Sequence, residues 1–247
     1  LIFPDKKYVN VHNTRDFGSM EMTTATGGQK VTLSVCDREG NGYTINYTQP
    51  EEPEKPADGD IWLDNHYKPY SLKQYSSSSG MWSSIASTYI KISCDAFRQL
   101  FRQYDGVTIS GFDRAEFHLS GSGEIFSDEE YRKLDGSHVI WACGDGYIVV
   151  TGFLSDPKAI TDTITISRTV PDMDFVIESE NRIWGCRYGA KSENGSQRIN
   201  EIYASKLGDF RNWNCFMGVS TDSYAASVGT DGPFTGAVSY LGHPIFF

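Results

Sequence analysis

Acidic side chains are the groups in this sequence with the most obvious capacity for chemistry, since Asp and Glu account for 32 of its 247 residues. A glycosidase needs two carboxyl groups that face each other across a cleft. Asp222 and Asp231 lie in Gly-rich segments and are the best candidates for such a pair. Carboxylates in such segments also accept hydrogen bonds from the nearby backbone and stabilise turns. We favour this second interpretation and predict no catalytic residue.

Other catalytic and cofactor-binding motifs are incomplete in the sequence. It lacks the H-E-x-x-H, G-x-S-x-G and P-loop patterns, and Gly144-Asp145-Gly146 is followed by Val149 where a dinucleotide-binding loop needs a third Gly. Segment 37–42 lacks the alternating ligands and the terminal Glu of a calcium loop. The five histidines are isolated from one another in the sequence: His12, His66, His118, His138 and His243. The chain is therefore predicted to be non-enzymatic, with no cofactor and no metal.

A cluster of aromatic residues is the most informative feature outside the expected core. It consists of Trp62, Tyr67, Tyr70, Tyr75 and Trp82. Aromatic rings on a small sheet can stack on sugar faces, which makes Trp62, Tyr70, Tyr75 and Trp82 candidate glycan-binding residues. Such rings can equally form the core of a small module, because each buries a large area. Both interpretations stay open at the level of sequence.

The charge and the cysteines restrict the possible partners and the compartment. The net charge of −10 disfavours nucleic acid as a partner. No apolar stretch approaches the roughly 18 residues of a membrane-spanning helix, so no membrane contact is expected. The five cysteines are Cys36, Cys94, Cys143, Cys186 and Cys215, and they form no C-x-x-C pair. Buried, reduced thiols are expected, which is consistent with assembly in a reducing cytoplasm.

The pattern of apolar residues predicts an all-β protein. Aromatic residues make up 13 % of the chain and Gly occurs 24 times, which favours strands and tight turns. Strands are predicted at 31–36, 43–47, 60–63, 70–75, 81–85, 89–92, 107–111, 139–143, 147–150, 160–170, 175–177, 182–184, 202–205, 224–228 and 237–240. Two short helices are expected at 95–103 and 128–134, the first from the spacing of Phe97, Leu100, Phe101 and Tyr104.

Segment boundaries are suggested by one charged, Pro-rich stretch. Residues 49–58 are predicted to be an extended linker and a hinge, followed by an aromatic β module at 59–93. Apolar residues occupy both ends of the chain, at 1–4 and 244–247, and we expect the chain to be part of a longer polypeptide.

A weak internal repeat relates two predicted hairpins. Residues 175–184 are echoed at 237–246 with an offset of 62 residues, and residues 2–9 have a similar shape. A short apolar strand, a tight polar turn and an aromatic-bearing strand recur in this way in β-propeller blades. We therefore expect propeller-like blades, in which Trp184 and Trp213 are packing residues.

Several segments carry a resemblance to a known group of proteins. They are 173–186, 200–210, 221–226 and 3–10, together with the module at 57–64, 72–75 and 81–82. These residues resemble a family of large virion proteins, associated with the tail, from tailed phages and prophages of Gram-positive gut bacteria. The resemblance implies a discontinuous propeller-like body at 1–10 and 171–247, which carries an inserted β-rich region at 11–170.

The resemblance implies a setting more than a reaction. We expect a structural component of a phage virion, located in the tail and made in the host cytoplasm, with other virion proteins and further copies of itself as partners. Two alternatives remain. The insertion could bind glycans of the host cell surface, or the chain could be a tail-borne glycan hydrolase.

Overall fold

The structure, a computed structural model, describes residues 1–112, 133–155, 157–191, 198–229 and 232–247. Within these ranges the protein is built almost entirely from β-strands, which confirms the predicted all-β class. The helical structure described is a single 3-10 turn, Asp95–Phe97. In the same ranges, no helix is long and apolar enough to cross a membrane.

A β-sandwich forms the centre of the region predicted as an insertion. Its five-stranded sheet has the order β12-β13-β9-β4-β14, and its four-stranded sheet has the order β11-β10-β15-β3. The strands of the first sheet are β4 (Val31–Cys36), β9 (Tyr89–Ser93), β12 (Ala142–Gly144), β13 (Tyr147–Thr151) and β14 (Lys158–Ile160); those of the second are β3 (Met22–Ala25), β10 (Gly106–Ser110), β11 (Gly136–Val139) and β15 (Thr165–Arg168).

The core of this sandwich is made by residues that alternate along its strands. Leu33 and Ile92 come from the five-stranded sheet, whereas Val107 and Ile166 come from the other sheet, and all four are buried. Period-2 alternation places such side chains on one face of each sheet. The strands predicted at 31–36 and 107–111 are present, and their alternating apolar residues form the core of the sandwich, which the sequence analysis did not predict.

A further four-stranded sheet packs against the sandwich and is called the aromatic sheet below. It has the order β5-β6-β7-β8, with β5 (Ile45–Gln49), β6 (Ile61–Asp64), β7 (Ser71–Ser76) and β8 (Met81–Ser84). Its apolar face, with Ile61, Leu63 and Leu72, contacts Val35 of the sandwich.

The third unit consists of three β layers. The central layer, called the blade sheet, has the order β16-β17-β18-β19, with β16 (Phe175–Ser179), β17 (Arg182–Lys191), β18 (Arg198–Ala204) and β19 (Tyr224–Val228). Four sequential antiparallel strands are the arrangement of a propeller blade. An N-terminal hairpin of β1 (Lys7–Val9) and β2 (Phe17–Ser19) and a C-terminal hairpin of β20 (Ala237–Tyr240) and β21 (His243–Phe246) flank it.

The two hairpins lie on opposite faces of the blade sheet. Val176 and Ile183 of one face pack in a cluster that includes Tyr8 of the N-terminal hairpin. Ser179, on the other face, bonds the C-terminal hairpin, where its hydroxyl donates to the carbonyl of Gly242 at 3.1 Å and accepts from Ser239 Oγ at 3.0 Å. The pairing of β1 with β2 also extends the N-terminal hairpin past the boundary predicted after residue 10.

The internal repeat is present, with a corrected offset. The repeat relates the hairpin β16–β17 to the hairpin β20–β21. Each closes through two residues of positive φ, which are Glu180 and Asn181 in the first and Leu241 and Gly242 in the second. This is the backbone of a two-residue turn that matches the strand twist. Aligning these turns gives an offset of 61 residues, where matching apolar residues had given 62.

Four sequence predictions need correction. Strand β5, which the sequence suggested as the antiparallel partner of β4, pairs in parallel with β6 instead. The Pro-rich residues between them therefore connect neighbouring strands of one sheet and are not a hinge between bodies. Strand β9 belongs to the sandwich, so the aromatic module ends before residue 89. The helix predicted at 95–103 is reduced to one turn, because Gln99 adopts a φ of +57°. Most of the helix predicted at 128–134 lies outside the described residues; 133 and 134 form a turn.

Candidate functional site

The outer face of the aromatic sheet brings together most of the aromatic residues singled out from the sequence. The strand register pairs Tyr47 with Trp62, Trp62 with Lys73, and Tyr75 with Trp82. Residues paired across neighbouring strands share a face of the sheet. These five side chains, Tyr47, Trp62, Lys73, Tyr75 and Trp82, are called the aromatic face.

Trp82 lies at the centre of the aromatic face. Its ring centroid is 5.4 Å from that of Trp62, 5.3 Å from that of Tyr75 and 6.1 Å from that of Tyr47. The Trp62 and Tyr47 rings meet Trp82 edge to face, the geometry that aromatic quadrupoles favour. The rings therefore form one mutually supporting cluster.

Trp62 is the anchor of this cluster and is not available to a ligand. Only 4 % of its surface is exposed, and its indole Nε1 donates a hydrogen bond of 2.8 Å to the carbonyl of Gln49. The ammonium of Lys73 lies 4.5 Å from its ring centroid and bonds Asp64 at 2.7 Å. This hydrogen bond from Lys73 lowers the pKa of the Asp64 carboxyl. For Trp62 the core interpretation holds.

The Pro-rich segment contributes to the aromatic face. The hydroxyl of Tyr47 donates to Asp60 Oδ2 at 3.2 Å and lies 3.4 Å from the carbonyl oxygen of Lys55. Pro53 is buried, although the charged residues around it are exposed. The segment is thus held against the sheet at several points.

Tyr70 and Tyr67 do not belong to the aromatic face. Tyr70 packs with the cluster of Leu63 and Leu72 on the opposite side of the sheet. Tyr67 is 77 % exposed and lies beside His66. Of the four candidate glycan-binding residues, the structure therefore groups Trp62, Tyr75 and Trp82 and separates Tyr70. Period-2 alternation carries this signal, since Tyr70 and Tyr75 are an odd number of residues apart.

Tyr47 is a member of the aromatic face that sequence reasoning missed. Its strand was assigned to a hairpin with β4, whereas the structure pairs it in parallel with β6. A strand pair whose connection is not a tight turn leaves no local signal of its register.

Trp82 and Tyr75 are the rings through which the face could contact a ligand. Both are partly buried, and they lie on β7 and on the edge strand β8. The Trp82 indole Nε1 is shielded from solvent and has no hydrogen-bond partner in the described part of the chain. Partly open rings of this kind can stack on the apolar face of a sugar.

The carboxylates considered for catalysis have a structural role where they are described. Asp222 Oδ2 accepts hydrogen bonds from the backbone N–H groups of Gly218 at 2.7 Å and Val219 at 3.1 Å. It therefore closes a turn, as the favoured interpretation predicts. Asp231, the other member of the candidate pair, lies outside the described residues.

The segments considered as a calcium loop and as a dinucleotide-binding loop also form turns. Asp37 accepts hydrogen bonds from the backbone of Glu39 and Asn41 and from the Asn41 side chain. Gly146 takes a φ of +77° in the turn between β12 and β13. Among the residues that the structure describes, no group of three His, Cys, Asp or Glu side chains is arranged to hold a metal ion.

A polar cavity of about 660 Å³ lies at the end of the four-stranded sandwich sheet where β10 ends and β11 and β15 begin. Asp135 and Asp162 line it together with Thr163 and Thr165. One oxygen of Asp135 accepts the backbone N–H of Phe112 at 3.0 Å. This cavity places two carboxylates on one lining, so the hydrolase alternative is best tested there.

Comparison with known proteins identifies no relative: no family model, no curated protein and no solved structure matches this chain.

Proposed function

We propose that this chain is a non-enzymatic structural component of a bacteriophage tail or tail-associated assembly. The observation that carries the proposal is the layered unit formed by the blade sheet and its two hairpins. The N-terminal hairpin packs against one face of the blade sheet, and the C-terminal hairpin contacts strand β16 on the other face. The resemblance of segments 3–10, 173–186, 200–210 and 221–226 to tail-associated virion proteins supplies the phage setting.

The C-terminal hairpin repeats the geometry of the first hairpin of the blade sheet. With the turns aligned, Val238 corresponds to Ile177 and Ile245 to Trp184, and both pairs are directly opposed across their strands. In the blade sheet this face receives the C-terminal hairpin. In the C-terminal hairpin the same face is open, with Val238 46 % and Ile245 41 % exposed.

The N-terminal hairpin has an open apolar face as well. Val9 and Phe17 are opposed across β1 and β2 and are 48 % and 67 % exposed. Contiguous exposed apolar surface on a sheet marks an interaction site. Both outer faces of the layered unit are exposed and apolar, so we infer that a second copy of the chain continues the stack head to tail.

The proposal is tested by locating the protein in particles. Antibodies against the purified chain are applied, with gold detection, to phage particles released from the bacterium that produces it. Gold on the tails is expected, and antibodies pre-adsorbed with the chain are the control. Label confined to cell debris, with bare particles, contradicts the proposal.

Glycan binding through the aromatic face is the second candidate. The partly open rings of Tyr75 and Trp82 favour it. A glycan array probed with the wild type and with Trp82→Ala tests it, and Tyr70→Ala on the opposite face is the matched control. Binding that Trp82→Ala removes and Tyr70→Ala retains supports a glycan-binding module.

The hydrolase alternative is decided by a separate measurement. The protein is incubated with host cell walls, and released reducing sugars are measured. Our proposal predicts no release above that of the Asp135→Asn/Asp162→Asn variant, whose cavity lacks both carboxylates. Release that requires these residues would make the chain an enzyme.

A further inference from the structure

A small pocket lies between strand β11 of the sandwich and the segment that connects β18 to β19, and it shares no lining residue with the aromatic face. Its volume is about 210 Å³, below the range of about 300–1,000 Å³ that is usual for drug-sized ligands. It is lined by Ser137, His138, Val139, Trp141, Thr151, Asn214 and Phe216. We propose that this pocket binds one uncharged pyranose ring of a glycan, with Trp141 and Phe216 as the stacking residues.

Trp141 is held in place by contacts that would preorganise it for binding. Its indole Nε1 donates a hydrogen bond of 2.9 Å to Thr151 Oγ1, and its backbone N–H donates to the carbonyl of Val149 at 2.8 Å. The guanidinium of Arg38 lies 4.4 Å from the ring centroid. A side chain fixed in this way loses little conformational entropy when a ligand binds.

Phe216 supplies a second aromatic surface to the same pocket. It is 52 % exposed, and it lies in the segment that follows the buried Trp213. Two aromatic side chains that line one small cavity can contact the apolar C–H faces of a sugar. A rigid Trp together with an exposed Phe is therefore suited to a ring-shaped ligand with an apolar face.

Polar groups in the pocket are available to sugar hydroxyls. Within the described residues, the side chains of Ser137 and Asn214 take part in no hydrogen bond, although both line the cavity. An amide offers two donors and an acceptor, and a hydroxyl offers both roles. Strand β11 is also an edge strand, so one row of its backbone groups points away from its sheet.

The charge of the lining determines the class of sugar. Among the described residues that line the pocket, there is no Asp, Glu, Lys or Arg. Burial lowers the pKa of His138, and this ring bonds the carbonyl of Leu134, so it is neutral at neutral pH. The lining residues are uncharged, and the Arg38 guanidinium is held against the Trp141 ring, so we expect a neutral hexose or N-acetylhexosamine rather than a uronic acid.

This inference is tested by nuclear magnetic resonance on the whole ¹⁵N-labelled chain. Chitotriose and maltotriose are the uncharged probes, and trigalacturonate is the anionic probe. Saturable shifts of the Asn214 side-chain amide and the Trp141 indole N–H are expected with at least one uncharged probe and not with trigalacturonate.

Variants separate this pocket from the aromatic face. Phe216→Ala is expected to weaken binding about tenfold, the loss typical of an aromatic anchor. Val219→Ala is the matched control, because Val219 is exposed in the same segment but does not line the pocket. The inference is overturned if no probe shifts these signals, or if Trp82→Ala removes binding while Phe216→Ala leaves it intact. Neither outcome bears on the location of the protein in particles.

Discussion

Replacement of Trp213 by Ala is expected to remove the largest side chain of the cluster beneath the blade sheet. Trp213 is 2 % exposed and packs with Met20, Val170 and Met173. Its indole Nε1 also donates a hydrogen bond of 2.9 Å to the carbonyl of Phe210. The variant therefore loses buried apolar area, leaves a cavity and deprives a carbonyl of its donor.

The expected cost is about 3–5 kcal/mol in the free energy of unfolding, the range measured for buried Trp and Phe. For a protein of this size, each kcal/mol lowers Tm by about 2–4 °C, so Tm should fall by about 6–20 °C. Thermal melts followed by circular dichroism measure this shift. Tyr67→Ala is the matched control, since Tyr67 is 77 % exposed and should melt like the wild type. A Trp213→Ala variant with wild-type Tm would refute the packing account.

Three further predictions concern stability and thiol reactivity. Trp184→Ala should lower the free energy of unfolding by only about 1–2 kcal/mol, because this ring is partly buried and its centroid lies 5.9 Å from that of Tyr224. A Tm as low as that of Trp213→Ala would contradict the partly buried position of Trp184. Gly106→Ala should prevent folding, because the added Cβ would lie 2.2 Å from the Asn214 carbonyl. Gly42→Ala is the control, since a Cβ there has no atom within 4 Å, and only this variant should be soluble in expression trials. Burial raises the pKa of the Cys36 and Cys186 thiols to about 11, so iodoacetamide at pH 8 should label them only after denaturation, and rapid labelling of the native protein would show that these strands open.

The sequence predicted the parts of the fold that depend on neighbouring residues. The hairpins β16–β17 and β12–β13 were located because two strands and their turn lie within about a dozen residues of one another. The buried state of Trp213 was also expected. Four of the five residues of the aromatic cluster, all except Tyr67, lie within predicted strands. Local turn chemistry and alternation were sufficient for these predictions.

The pairings between distant segments could not be predicted in the same way. Strand β4 pairs with β9, more than 50 residues later, and β5 pairs in parallel with β6. No local pattern specifies such partners, because register between distant strands depends on which faces become buried. The helix predicted at 95–103 failed for a related reason. Phe97 and Phe101 are buried as a helical face requires, but a backbone in the left-handed region at Gln99 achieves this without a helix.

The candidate sites also include one part that neighbouring residues predict and one part that depends on contacts between distant segments. Alternation separates Tyr70 from Tyr75, so that part of the aromatic face was accessible from the sequence. The pocket beside β11 combines Trp141 with Phe216, which are 75 positions apart, and only the contact between the sandwich and the segment after Trp213 brings them together. At this contact the amide of Asn212 bonds the carbonyl of Tyr104 and accepts the N–H of Gly106.

Self-association of the purified chain tests the stacking of β layers most directly. Sedimentation velocity is measured from micromolar to near-millimolar concentrations for the wild type and for Tyr240→Ser/Ile245→Ser, which makes the open face of the C-terminal hairpin polar. Tyr67→Ser, on a different surface, is the control. We predict that the sedimentation coefficient of the wild type and of the control rises with concentration, while that of the hairpin variant stays at the monomer value. A wild type that remains monomeric over the whole range would contradict the account.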